Sequence, residues 1–281
     1  QGRLISAPTE TFINQTEYSM PDNLVVHTDD RGVCTIKLNR PDVRNAFDND
    51  VIEDLSIQLT FASDDDFVKI LVITGEGSSF SSGADINWIK SSVKRDHATN
   101  SMEALKMAQM LQKLYATPKP TIARINGPAF GGALGIIACC DIAVSSNTNC
   151  FGFTEVKLGL IPAMVSPYIV SAIGHRNAKR LFITGEQFSA HDALSLGLIH
   201  KIVDPGLLDD AIETELESLL EAAPSAQLEC KRLLHKLAGV SDDISQYTAE
   251  LIAQIRISKE GQEGLTAYLE KRSPDWIKHP D

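Results

Sequence analysis

The sequence has no apolar run approaching the roughly 20 residues a membrane helix needs, and this absence excludes a helical membrane protein as the reading. It has no cationic excess. Its 26 lysines and arginines face 37 aspartates and glutamates, a formal charge of −11. Broad attraction to nucleic acid or anionic lipid is therefore excluded, although a local basic patch for one anionic ligand is not. Cysteine is sparse: five residues, Cys34, Cys139, Cys140, Cys150 and Cys230, an odd number without zinc spacing. The seven histidines form no paired ligand motif, so no metal site is expected. Cys139 and Cys140 lie in an apolar stretch and read as packing residues. This cysteine usage fits a reducing, cytoplasmic setting. Repeats and low-complexity linkers are absent, and the first 20 residues lack the basic start and apolar centre of a secretory signal. Residues 1–21 read as an N-terminal extension, disordered or tag-derived, with Met20 a candidate natural start.

What remains is an ordinary globular composition, 43% apolar over 281 residues, enough for one large core. The pattern is α/β first and helical last. Segments 24–28 and 33–38 flank Asp29-Asp30-Arg31-Gly32 and read as a hairpin. Residues 48–62 have helical spacing, with Asp48 as N-cap, and 101–115 form a second amphipathic helix. Strands are expected at 68–74, 121–125, 141–144 and 198–203. Alternation of strands and helices argues for parallel β-α-β units. From about residue 205 the pattern is helical only, over 207–222, 225–237, 244–257 and 260–271. A core domain, 22–204, is expected to be followed by a helical region, 205–281.

The segment with most chemical content runs from Ile125 to Pro162. A strand ends in Gly131-Gly132, and an apolar stretch, plausible as a buried helix, follows. The first N–H groups of such a helix point outward with the positive end of its dipole behind them, a place to hold a developing negative oxygen. Glu155 stands alone among Phe153, Val156 and Leu158 about twenty residues later. Apolar surroundings raise a carboxyl pKa toward neutrality and make it a useful acid or base. Together these point to stabilised-enolate chemistry on a carbonyl compound.

Six marks in order resemble the enoyl-CoA hydratase/isomerase (crotonase) superfamily. They are Leu38-Asn39-Arg40-Pro41 with Asn45-Ala46-Phe47, Phe80-Ser81-Ser82-Gly83-Ala84-Asp85-Ile86, Gly131-Gly132, Cys140-Asp141-Ile142-Ala143, the Glu155 segment, and Glu263-Gly264 through Glu270-Lys271-Arg272. The resemblance implies a spiral of β-β-α units with a C-terminal helical region, a homotrimer or homohexamer, and an acyl-CoA thioester as partner. Coenzyme A is then part of the substrate, with no separate cofactor. It implies Ala84 and Gly132 as the oxyanion N–H donors and Glu155 as acid/base. It further implies CoA or substrate contacts from Arg44, Ser82, Gly83, Asp85, Ile86, Gly131, Tyr268 and Lys271. Trp88 reads either as an acyl-pocket wall or as core packing.

One departure bears on the reaction. Simple hydratases of the family carry a first glutamate three residues after the second glycine, where this chain has Gly135. Residues 84–89 and 159–168 are similar to bacterial hydratases of methylglutaconyl-CoA and isohexenylglutaconyl-CoA. Gly135 is accordingly expected to make room for a branch on the β-carbon. Asn87, Lys90, Ser166 and Tyr168 are candidates to contact a substrate carboxylate. A hydratase is the leading reading, and an isomerase with Glu155 as single proton shuttle is the alternative. A thioesterase, or an RNA-binding role disfavoured by the charge, stands behind them.

Overall fold

The computed structural model describes residues 22–222, 224–238 and 243–274; the extension 1–21 lies outside them. The chain opens with β1 (Leu24–Thr28) and β2 (Val33–Leu38), antiparallel around the expected turn. Helix α1 (Asn49–Asp64) follows, with Asp48 accepting from the Val51 N–H at 3.0 Å as its N-cap. Then come β3 (Ile70–Gly75), α2 (Ile86–Ser92), α3 (His97–Ala116), β4 (Thr121–Ile125), β5 (Ala129–Phe130) and α4 (Gly132–Cys139). The rest is β6 (Ile142–Ser146), β7 (Cys150–Gly152), a 3-10 turn (Thr154–Leu158), α5 (Ser166–Thr184), β8 (Gln187–Ser189), α6 (Ala190–Leu196) and β9 (Lys201–Val203). Four helices close the chain: α7 (Leu208–Leu220), α8 (Pro224–Ala238), α9 (Asp243–Ile257) and α10 (Lys259–Glu270).

The main sheet has the order β1-β2-β3-β4-β6-β9, parallel throughout except for the β1–β2 hairpin. Strand β3 is buried along its whole length because both faces of the sheet are covered. Its residues alternate with the period of two: Ile70 and Val72 meet Leu208, Ala211, Ile212 and Leu216 of α7, while Leu71 and Ile73 face the larger core with α1, α3 and α4. A second sheet, β5-β7-β8, holds the segment that leads into Glu155.

Two expectations are corrected. Helix α3 begins at His97 rather than 101, because Asp96 accepts from the Thr99 N–H at 2.8 Å and starts it a turn earlier. Helices α2 and α5 were not anticipated; their sequences are too short or too mixed for a clear apolar period. The helical region that follows residue 204 packs on the core. Helix α7 covers the sheet, α9 packs Ala249 and Ile252 against Ala104 of α3, and α10 adds Leu265 to that cluster. The buried Lys231 of α8 donates to Asp141 at 2.6 Å, and Asp141 also accepts from the Thr121 N–H. His200 accepts from the Ala143 N–H at 3.0 Å.

Helix α10 rests directly on the turn that carries Glu155. A Cβ on Gly264 would lie 2.0 Å from the Leu158 carbonyl oxygen, inside any contact distance. Gly264→Ala is therefore expected to destabilise the fold by about 1–3 kcal/mol, read from urea unfolding. Unchanged stability would mean that α10 does not depend on this contact.

Candidate active site

The site begins with two backbone loops held edge to edge. Ser81 bridges Ala129 in parallel, with the Phe80 N–H donating to the Pro128 oxygen at 3.1 Å and the Phe130 N–H to the Ser81 oxygen at 3.0 Å. Phe47 clamps the next residues: its N–H donates to Gly83 O at 2.7 Å, and its carbonyl accepts from the Asp85 N–H at 2.8 Å. Ala84 lies between those two bonds, and its own N–H has no acceptor among the described residues. Across the junction, the Gly131 N–H donates to Gly152 O at 3.0 Å and Gly132 starts α4. As the first helical residue, Gly132 has no intrahelical acceptor for its N–H, and none is supplied from elsewhere among the described residues.

Glycine is required at the contact between the loops. Gly83 (φ +85°) and Gly131 (φ +54°) both occupy backbone regions that side chains rarely adopt. A Cβ on Gly83 would come within 2.9 Å of Phe130 O, and one on Gly131 within 3.2 Å of Glu155 Oε1. Glu155 therefore sits directly above the glycine turn. Its Oε2 is enclosed and has no hydrogen-bond partner. Burial pushes the Glu155 carboxyl up to about 7, against a smaller lowering by a hydrogen bond from its own backbone N–H.

These groups line a cavity of about 430 Å³ whose walls are Phe47, Ile52, Trp88, Met107, Leu160, Ile161, Met164, Ile252 and Leu265. Of the sequence-derived candidates, Ser82, Gly83, Ala84, Trp88, Gly131, Gly132, Glu155 and Tyr268 all reach it. Trp88 is both wall and packing residue, 8% exposed, and its indole N–H donates to Glu103 at 3.0 Å. Arg44, Ile86 and Lys271 are exposed and do not line the cavity.

The Asp85 side chain caps α2: it accepts from the Asn87 N–H at 2.7 Å and pairs with Arg40 at 3.1 Å, which also pairs with Asp48, while the CoA contact implied for it is one of the loop backbone. Other candidates are corrected. Gly135 faces away from the cavity. A Cβ there would meet Val165 Cγ1 at 2.5 Å and Leu111 at 3.1 Å, so the place of the absent glutamate is filled with hydrocarbon rather than opened. Asn87, Lys90, Ser166 and Tyr168 do not line the cavity. Ser166 donates to Ala163 O at 2.7 Å, and buried Tyr168 packs on Tyr115.

Sequence reading missed Arg256, a cavity residue only 6% exposed. A signal for it existed: Ala249, Ile252, Ala253 and Arg256 share one helical stripe, the first three fully buried, and a charge on such a stripe is exceptional.

Because the Gly135 site is closed, Gly135→Glu is expected to cost at least about 3 kcal/mol in stability without restoring a second catalytic carboxylate. Denaturant unfolding and a crotonyl-CoA hydration assay check this; a stable variant with faster hydration would refute it.

The enoyl-CoA hydratase/isomerase family model matches residues 28–279. A crystal structure of an enoyl-CoA hydratase from Shewanella pealeana is 42% identical, covers 90% of this chain and 96% of its own, and superposes with a TM-score of 0.75. The mitochondrial enoyl-CoA hydratase domain-containing protein 3 of Xenopus laevis is 30% identical over 97% of this chain and 92% of its own length. The crotonyl-CoA hydratase of Syntrophomonas wolfei is 29% identical over 91% of this chain and 98% of its own. With a mixed α/β fold that its structural neighbours share, the chain belongs to the enoyl-CoA hydratase/isomerase family and is an enzyme of the hydratase type.

Proposed function

We propose that the chain adds water across the α,β double bond of an enoyl-CoA thioester whose acyl group is β-branched and carboxylated, as in 3-methylglutaconyl-CoA. The observation that carries the hydratase reading is the buried Glu155 carboxyl, its Oε2 without a hydrogen-bond partner, set beside two N–H groups without acceptors among the described residues. The branched, carboxylated acyl group is supported by the likeness of residues 84–89 and 159–168 to such hydratases. The space once expected at Gly135 no longer supports it.

In this mechanism the thioester oxygen accepts from Ala84 N–H and Gly132 N–H. Glu155, ionised, takes a proton from water as the water oxygen bonds to the β-carbon. The π electrons move toward the α-carbon and the carbonyl oxygen, forming an enolate. Each oxyanion donor is worth about 3 kcal/mol at that stage. Glu155 then returns the proton to the α-carbon and the enolate collapses to the 3-hydroxyacyl thioester. A carboxyl poised near neutral pH can do both halves, since neither protonation state is strongly favoured. The apolar walls limit the water that enters and strengthen these hydrogen bonds. Arg44, Ser82, Ile86, Tyr268 and Lys271 are assigned to the CoA moiety, and the assembly to a homotrimer or homohexamer, by family resemblance.

Glu155→Gln is expected to lower kcat for 3-methylglutaconyl-CoA hydration by about 10²–10⁴. In the wild type, kcat/KM rises as pH passes about 7, where the base ionises, and the variant loses that step. Formation of a product with a shifted double bond, or full activity in the variant, would overturn the reading. Stability follows the opposite sign. The folded carboxyl holds its proton up to about 7, whereas an unfolded one releases it near 4.5. The unfolded chain thus binds fewer protons between those values, and wild-type stability falls as pH rises through them. Glu155→Gln is expected to match the wild type in Tm near pH 4.5 and exceed it at pH 8, as measured by thermal unfolding.

A further inference from the structure

Helix α9 places a buried cation in the cavity, which Lys157 and Arg272 also line. The Arg256 guanidinium stacks over the Trp88 ring, its Cζ 4.9 Å from the ring centroid, and Nη1 is buried with no hydrogen-bond partner. The anion beside it, Glu103, is already engaged. Glu103 accepts from the Trp88 indole N–H at 3.0 Å, from Asn49 Nδ2 at 2.8 Å, and from Arg95, with which it forms an ion pair. Among the described residues, Arg95, Glu103 and Arg256 thus leave two cations against one anion at the edge of an apolar cavity. Burial draws the Arg256 guanidinium down to about 10, so it stays protonated at neutral pH. A buried donor on a charged group without an acceptor is among the costliest arrangements in a folded protein. Anchoring α9 through the stack on Trp88 would not require it, because a neutral side chain of similar length would fill the same space.

We propose that Arg256 receives a carboxylate at the far end of the acyl chain, so that the preferred substrates are CoA half-thioesters of dicarboxylic acids. The proposal rests on reading this cavity as the acyl site of an enoyl-CoA hydratase. One further carboxylate would restore charge balance to the cluster and give Nη1 its missing acceptor, as a bidentate or single charge-assisted bond. The CoA phosphates do not suit this position. Arg256 is 6% exposed and lies among Trp88, Ile89 and Ile252, where a doubly charged diphosphate would lose its hydration. The other arginine of the cavity, Arg272, is engaged by Glu263 and Glu270.

The test is binding of a matched, unreactive pair, glutaryl-CoA and pentanoyl-CoA, which differ only in a terminal carboxylate against a terminal methyl. Calorimetry on the full chain is expected to show wild type favouring glutaryl-CoA by about 10- to 100-fold. Arg256→Met should abolish or invert that ratio, and Arg256→Lys should restore part of it. A wild type that prefers pentanoyl-CoA overturns the proposal. So does an Arg256→Met variant whose two Kd values shift by the same factor, the result of a purely structural role. Turnover separates this inference from the hydratase reading. Hydration of crotonyl-CoA without preference for a carboxylated partner sinks only the Arg256 assignment. Selective binding of glutaryl-CoA with no hydration of either crotonyl-CoA or 3-methylglutaconyl-CoA sinks the hydratase reading instead.

Discussion

Two backbone N–H groups stay unpaired at the edge of an apolar cavity, and most of the local structure follows from keeping them so. Here Ala84 is isolated by the bonds that Phe47 makes on either side of it, and Gly132 by its place at the start of α4. The N–H groups of Gly83, Asp85 and Gly131 beside them are bonded, which holds the two loops in place. The glycines at 83 and 131 are the geometric consequence, since the loops touch too closely for a side chain on either.

The cavity also separates its charges. Burial raises the Glu155 pKa and lowers that of Arg256, and neither Glu155 Oε2 nor Arg256 Nη1 has a hydrogen-bond partner. Had the two been paired with residues nearby, each would be inert. The buried carboxylate beside Arg256, Glu103, is engaged by Trp88, Asn49 and Arg95. Unpaired polar groups carry a stability cost, and their concentration in one apolar cavity points to groups reserved for a ligand.

The closing helices are part of the site. Helix α10 packs through Gly264 onto the turn that bears Glu155, and α9 delivers Ile252 and Arg256 to the cavity. A division of the chain near residue 204 separates a region rich in strands from one without them, yet the acyl site is built from both sides of it.

The hairpin, the parallel strands, the Asp48 cap and the last four helices were legible in the sequence, because each depends on neighbours within a few positions. So were the oxyanion donors and the carboxyl, since a glycine pair at a helix start and a lone acid in an apolar run are local signatures. Gly135 shows where such reading stops. Its missing side chain suggested space, but Val165 and Leu111 arrive from distant segments and occupy it. Asp85 carried a family motif, yet its side chain is consumed by Arg40 and its own helix start. Arg256 stood on an apolar stripe, but which surface that stripe covers depends on how α9 docks. The sequence by itself determined where backbone donors and turns form, because those follow from local sterics and helix ends. Only the tertiary structure decided which charges lack partners and which glycines border open space, because partners and space are supplied by segments far apart in the chain.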